Sequence, residues 1–207
     1  MAIKSNPSKS RLVGAALTNL CTVLIAANLQ ASEQGRTSGY EVTVCIESGI
    51  TRESELAQSI TRKMFADIGV SISFHEADKC PTKQDRIIHI HLETGVPAER
   101  FPGALAFAMP YEGVHIQVFV DRIRKMVDPK RTAVLLAHVL AHEITHILQG
   151  VNRHSPEGIM KAKWDQEDFQ KRCWEPLTFT EKDIKLIYIG LEARKSLSAA
   201  KSSITSK

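Results

Sequence analysis

Residues His142-Glu143-Ile144-Thr145-His146 carry the pattern HExxH. Two histidines four apart on a helix lie about one turn from each other on one face, so both imidazoles can reach one ion. The glutamate beside the first histidine is then placed to act as a general base toward an attacking water. Ligation by imidazole together with proton transfer by a carboxylate is the chemistry of a zinc peptidase. The plain alternative is a helix with two buried, hydrogen-bonded histidines.

A catalytic zinc takes three protein ligands and keeps one position open. His138 lies one turn before His142, but along the axis it is about 12 Å from His146, too far for one ion. It reads as a packed or hydrogen-bonded neighbour. His154 differs, because Gly150 lets the chain leave the helix and His154 follows four residues later, able to fold back toward the same ion. Ser155 to Met160 then turn the chain beneath the site. A carboxylate third ligand is the rival within zinc chemistry. Glu167, 21 residues after His146, has a spacing that resembles the gluzincins; its ordinary reading is a solvated acid in a charged run.

The stretch HEITHILQGVNRHSPEGIM resembles the metzincin zinc peptidases, whose pattern is HExxHxxGxxH followed by a methionine turn. Within that clan it is most similar to the matrixin type, in which serine follows the third histidine and a small-residue turn ends in methionine. Ser155 and Gly158-Ile159-Met160 match those features. The resemblance implies Zn2+ held by His142, His146 and His154, Glu143 as general base, and Met160 as the turn methionine below the metal. It also implies an α+β fold of metzincin type. In that fold a twisted, mostly parallel sheet with an antiparallel edge strand is backed by helices, and an active-site helix leads to a small C-terminal helical subdomain. The spacing departs from the family: here it is HExxHxxxGxxxH, with one residue added before the glycine and one after it.

The elements that must position these residues are legible in outline. Residues 41–47 alternate like a strand, and Thr51 is an N-cap for a helix with a Leu56, Ile60 and Met64 stripe that stops at Gly69. Residues 70–74 and 86–92 read as further strands. In the second of these, Ile88, Ile90 and Leu92 share one face and Ile87, His89 and His91 the other. Histidines spaced like His89 and His91 can hold a metal on a sheet, but structural zinc would need two more ligands and none is evident. Residues 104–109 form a short apolar stretch closed by Pro110, and 114–120 alternate again after a turn at Glu112-Gly113. Asp128-Pro129 supplies an N-cap and a first-turn proline for the motif helix, which is apolar all round, hence buried, and stops at Gly150. Thr180 to Asp183 resemble a capping signal for a last helix to about residue 196, and 197–207 read as a flexible tail. No repeat or linker divides residues 32–196, which form one expected peptidase domain.

A peptide substrate would bind extended against an exposed strand edge, for which residues 104–109 and the loop through Tyr111-Glu112-Gly113 are candidates. The resemblance puts a pocket wall after the methionine turn, where Trp164, Trp174 and Phe179 occur; core packing is their plainer role.

Residues 1–31 read as a signal peptide. Lys4, Lys9 and Arg11 precede a mostly apolar run of 16 residues, 12–27, and Leu29-Gln30-Ala31 offers a cleavage site. That run is short for a membrane span, although an uncleaved anchor is the alternative. Its removal takes away three cations and no acid, lowering the net charge from +4 to +1. A nucleic-acid partner is therefore not indicated. Cys45, Cys80 and Cys173 remain, an odd number, with Cys45 and Cys80 the favoured pair in an oxidising compartment. Together these features predict an exported zinc-dependent endopeptidase, secreted or periplasmic, acting on peptides or proteins without stable membrane association. The alternatives are a gluzincin-like peptidase with a carboxylate ligand and a catalytically inactive zinc-binding module.

Overall fold

The computed structural model describes residues 39–47, 51–82, 86–97, 99–165, 168 and 177–205. The leader-like segment and Glu167, Cys173 and Trp174 lie outside them. The chain divides into Met1–Ser38 and Gly39–Lys207, and every described residue belongs to the second unit.

Five strands form one sheet: β1 (Tyr40–Ile46), β2 (Val70–Glu76), β3 (Ile88–Glu93), β4 (Ala106–Ala108) and β5 (His115–Phe119). Their order is β2-β1-β3-β5-β4. All neighbours are parallel except β4, which runs antiparallel to β5 with Ala106 opposite Val118 and Ala108 opposite Ile116. The expected mostly parallel sheet with an antiparallel edge strand is therefore observed. Val44, Ile88, Ile90, Ile116 and Val118 are wholly or almost wholly buried and belong to one continuous core with the helices.

Among the described residues four helices accompany the sheet: α1 (Arg52–Ala66), α2 (Val120–Met126), α3 (Thr132–Gln149) and α4 (Glu181–Thr205). Thr51 caps α1 in a reciprocal capping box with Ser54. The expected stripe on α1 holds at Met64, which is buried, and at Ile60, which packs against the core, but not at Leu56. Leu56 is 54% exposed, while Ala57, Thr61, Met64 and Phe65 face inward. Small residues at 57 and 61 let α1 approach α3 so closely that the Thr61 hydroxyl donates to the Ala137 carbonyl at 3.2 Å.

Helix α2 begins where strand β5 was expected to continue. No breaker separates the two, but Val120 and Ile123, spaced for one helix face, are buried and the intervening charges are not. Asp128 caps a single 3-10 turn, Pro129–Arg131, from which α3 departs. Helix α4 runs on to Thr205 through the segment expected to be flexible; that stretch contains Ala199, Ala200 and Lys201 and no glycine or proline. No helix among the described residues is long and apolar enough to cross a membrane.

A disulfide joins Cys45 in β1 to Cys80 just after β2, with Cα atoms 5.9 Å apart. Closing this loop in the unfolded chain is worth roughly 3–4 kcal/mol in the chain-entropy account.

The docking of α4 on the end of α3 has the least room in the fold. A Cβ on Gly190 would stand 1.7 Å from the Leu148 carbonyl oxygen. Alanine usually stabilises a helix relative to glycine by up to about 1 kcal/mol. Here Gly190→Ala should do the reverse, costing about 3 kcal/mol or more as α4 is pushed off α3. Urea unfolding followed by circular dichroism checks this, and an unchanged or raised midpoint would show that the helices do not meet in this way.

Candidate metal centre

Helix α3 is buried along almost its whole length, including His138, His142, Glu143 and His146. Buried polar groups need partners, and the ring nitrogens find theirs in the chain that follows. His142 Nδ1 lies 2.8 Å from the Ile159 carbonyl oxygen and His146 Nδ1 lies 3.1 Å from that of Val151. A carbonyl only accepts, so both Nδ1 atoms carry hydrogen and both Nε2 atoms present lone pairs. These two Nε2 atoms are 3.0 Å apart. Two lone pairs facing at that distance repel unless a cation lies between them.

Gly150 ends α3 in the left-handed conformation, φ 67°, with its N–H donating to the His146 carbonyl. The chain then doubles back and brings the His154 ring to 5.3 Å from His142 and 5.0 Å from His146, centroid to centroid. Ligand nitrogens of the three residues all lie within 4.8 Å of one another, the one such group among the described residues. The longer return loop thus brings His154 beside the HExxH pair, and the three imidazoles together could hold a metal ion.

Electrostatics favour neutral rings. Burial pushes His142 and His146 down to about 4; the hydrogen bonds to Ile159 and Val151 oppose this only in part, and the neighbouring histidines add to it. Burial, then the Arg153 guanidinium, lowers His154 as well. Glu143 moves the other way: burial pushes it up to about 8, partly offset by a hydrogen bond from the Ala108 backbone in β4.

The turn below the rings is rigid. The Ser155 N–H donates to the Met160 carbonyl at 2.7 Å, and the Ile159 N–H to that of Thr178 at 3.0 Å. Ile159 and Met160 are fully buried. Gly158, φ 73°, passes so near Thr178 that a Cβ would stand 2.5 Å from its carbonyl oxygen. The carbonyl that orients His142 therefore comes from the segment bearing Met160.

The remaining sequence candidates are placed as follows. His138 contacts the Val134 carbonyl through Nδ1 and accepts from the Leu177 N–H through Nε2, so both its nitrogens are engaged outside the trio. His89 and His91 both pair with the carboxylate of Glu47. Phe179 packs against Phe65, centroids 5.1 Å apart, inside the core, which is the plainer of its two expected roles. Trp164 stands edge-on to His142 at 5.4 Å and borders a cleft of about 1000 Å³ beside the trio. Ala104, Leu105 and Ala106 form another wall of that cleft, with Leu135 and Val139. The loop through Tyr111 does not line it, and Tyr111 is 86% exposed. Sequence reasoning missed Arg153 and Asp183, which brace the return loop. Thr180 and Asp183 showed only their capping pattern.

The fold is similar to that of archaemetzincin from Methanopyrus kandleri, seen in a crystal structure, with a TM-score of 0.52 and 16% identity over 76% of this chain and 98% of that one. No protein-family model and no curated protein matches the sequence.

The opposite shifts of Glu143 and the histidines give a signed pH dependence for the metal-free protein. A raised carboxylate contributes stability below its unfolded value that is lost as pH rises toward about 8. The two depressed histidines contribute stability above the ordinary histidine value that is lost as pH falls toward about 4. Glu143→Gln should therefore stabilise the metal-free protein near pH 8, by on the order of 2–4 kcal/mol, and the gain should vanish toward pH 5. Denaturant melts at the two pH values test this; an equal effect at both would show that Glu143 is not held protonated. Zinc affinity in a chelator competition should hold to about pH 6 and collapse only as pH approaches 4. A loss already complete by pH 6 would mean that the rings titrate as exposed histidines.

Proposed function

We propose that this protein is a zinc-dependent endopeptidase in which His142, His146 and His154 hold the metal and Glu143 is the general base. One observation carries the reading. Two Nε2 lone pairs meet at 3.0 Å on one helix, each ring oriented by a backbone carbonyl, with a third imidazole folded back onto them. Three neutral imidazoles with one open position is a donor set that catalytic zinc takes. The name of the structural neighbour, archaemetzincin, belongs to the clan that the motif resembles.

When bound, zinc supplies Lewis acidity for the scissile carbonyl and makes a water acidic enough to attack it near neutral pH. The chain supplies the rest. Glu143 sits at the cleft beside His142, and burial gives its carboxylate an unusually high proton affinity. It takes the proton of the attacking water and passes it to the leaving amine. The Ala108 backbone in β4 faces that carboxylate and partly offsets the effect of burial. An extended peptide adds to the free side of β4, its side chains alternating toward and away from the cleft that Leu135, Val139 and Trp164 help to line.

Export to a secreted or periplasmic location is supported by the leader-like residues 1–31 and by the Cys45–Cys80 disulfide, which suits an oxidising compartment.

The test is cleavage of a diverse quenched peptide library by residues 32–207 loaded with zinc, beside Glu143→Ala and His146→Ala. Wild type should cut; Glu143→Ala should keep its zinc and lose roughly 10²–10⁴ in rate; His146→Ala should lose zinc. Wild type that holds one zinc per chain and cuts nothing would sink the peptidase reading, leaving a metal-binding module.

A further inference from the structure

The return loop that brings His154 to the site has no secondary structure of its own, and its residues at 151, 152 and 154 are exposed. Something must hold it, because a ligand on a loose loop binds metal poorly. Asp183 is the group that reaches it. Its side chain is completely buried, two residues into α4. Oδ1 accepts from Arg153 Nη1 at 2.7 Å and from the Ser155 hydroxyl at 2.7 Å, and Arg153 Nη2 donates to Ser155 Oγ at 2.8 Å. The residues on either side of His154 are thus gripped by one carboxylate oxygen. Oδ2 accepts from the Thr180 hydroxyl at 2.6 Å and from the Thr180 N–H at 3.2 Å, which fixes the carboxylate at the start of α4.

Helix α4 is itself keyed to the metal helix. Gly190 meets Leu148 backbone to backbone, and Gln149 Nε2 donates to the Asp183 carbonyl at 3.3 Å. A rigid path therefore runs from His146 through the end of α3, across α4 to Asp183, and back to Arg153, His154 and Ser155. Asp183 also neutralises Arg153. Without it, a partly buried guanidinium would stand next to His154 and repel a dication.

We infer that Asp183 is the positioning residue of the third ligand, a buried carboxylate whose grip on Arg153 and Ser155 sets where His154 presents its nitrogen. This rests on the reading of the three histidines as a zinc site. It adds a role that the capping pattern of Thr180 and Asp183 does not reveal.

Asp183→Asn preserves shape but replaces one acceptor oxygen with an NH2 group. In either orientation the amide cannot accept from both the Thr180 pair and the Arg153–Ser155 pair. The experiment compares zinc affinity, by chelator competition, and the Co2+ absorption spectrum among wild type, Asp183→Asn, Ser155→Ala and Ile187→Val. Ile187 is fully buried on the same helix but makes none of these hydrogen bonds, so its variant controls for loss of helix stability alone. Asp183→Asn should weaken zinc about 10- to 100-fold, as loss of a group supporting a ligand does, and shift the Co2+ bands. Ser155→Ala should weaken it less, and Ile187→Val should lower the melting temperature with affinity unchanged. If Asp183→Asn does not fold, Ser155→Ala still removes one arm of the grip and decides the matter. Zinc affinity in Asp183→Asn or Ser155→Ala within twofold of wild type overturns the inference, as does an equal loss in Ile187→Val. Wild type that binds no zinc overturns the reading of the site, and this inference with it.

Discussion

Burying ionisable groups on a core helix is the constraint around which the rest of this structure is arranged. Helix α3 packs against the sheet and against α1 and α4, yet along it lie His138, His142, Glu143 and His146, none more than slightly exposed. An unpartnered polar group in such a place costs roughly 1–3 kcal/mol. Backbone groups approach all four. The carbonyls of Val134, Ile159 and Val151 and the N–H groups of Leu177 and Ala108 do so. Apart from Val134, these partners lie in the edge strand, the return loop, the methionine-bearing turn and the segment before α4. The irregular half of the protein is therefore shaped by what α3 requires.

Backbone partners have a chemical consequence. A carboxylate beside a histidine would favour its protonated form, whereas a carbonyl in a dry setting orients the ring and leaves it neutral. Glu143 meets the same dryness with the opposite result, a raised proton affinity. Neutral imidazoles next to a proton-hungry carboxylate make a site adapted to a cation and poorly adapted to its absence. Stability given up here is recovered elsewhere, through the disulfide across β1 and β2 and the close seating of α1 and α4 on α3.

The site was more legible in the sequence than the packing around it. HExxH reports helix periodicity and donor chemistry together, so His142, Glu143 and His146 could be read from spacing alone. His154 needed only a glycine exit and a return. Alternation likewise marked β1, β3 and β5 as strands, while the sheet they form was implied by the family resemblance. What could not be read were choices made by close approach. Ala57 and Thr61 displaced Leu56 from the buried face of α1 because small residues let two helices meet, which apolar counting does not detect. Helix α2 escaped notice because no breaker marks where β5 ends. Asp183 looked like an ordinary capping residue, since a hydrogen bond spanning 28 positions to Ser155 leaves no local trace.

The unusual spacing before His154 is intelligible in these terms. A return loop longer than the matrixin pattern ought to loosen His154, because each added residue brings conformational freedom that ordering must remove. Here the extra length carries its own restraints. Val151, the first residue after Gly150, supplies the carbonyl that orients His146. Arg153, immediately before the histidine, spans to Asp183 and Ser155. Ser155, immediately after, is tied by its N–H to Met160 and by its hydroxyl to Asp183. Three of the five residues from Val151 to Ser155 are thereby fixed to buried acceptors or act as one, and His154 is held from both sides. The added residues change the path of the loop without freeing it, because the carboxylate that anchors it belongs to a helix already locked against the end of α3.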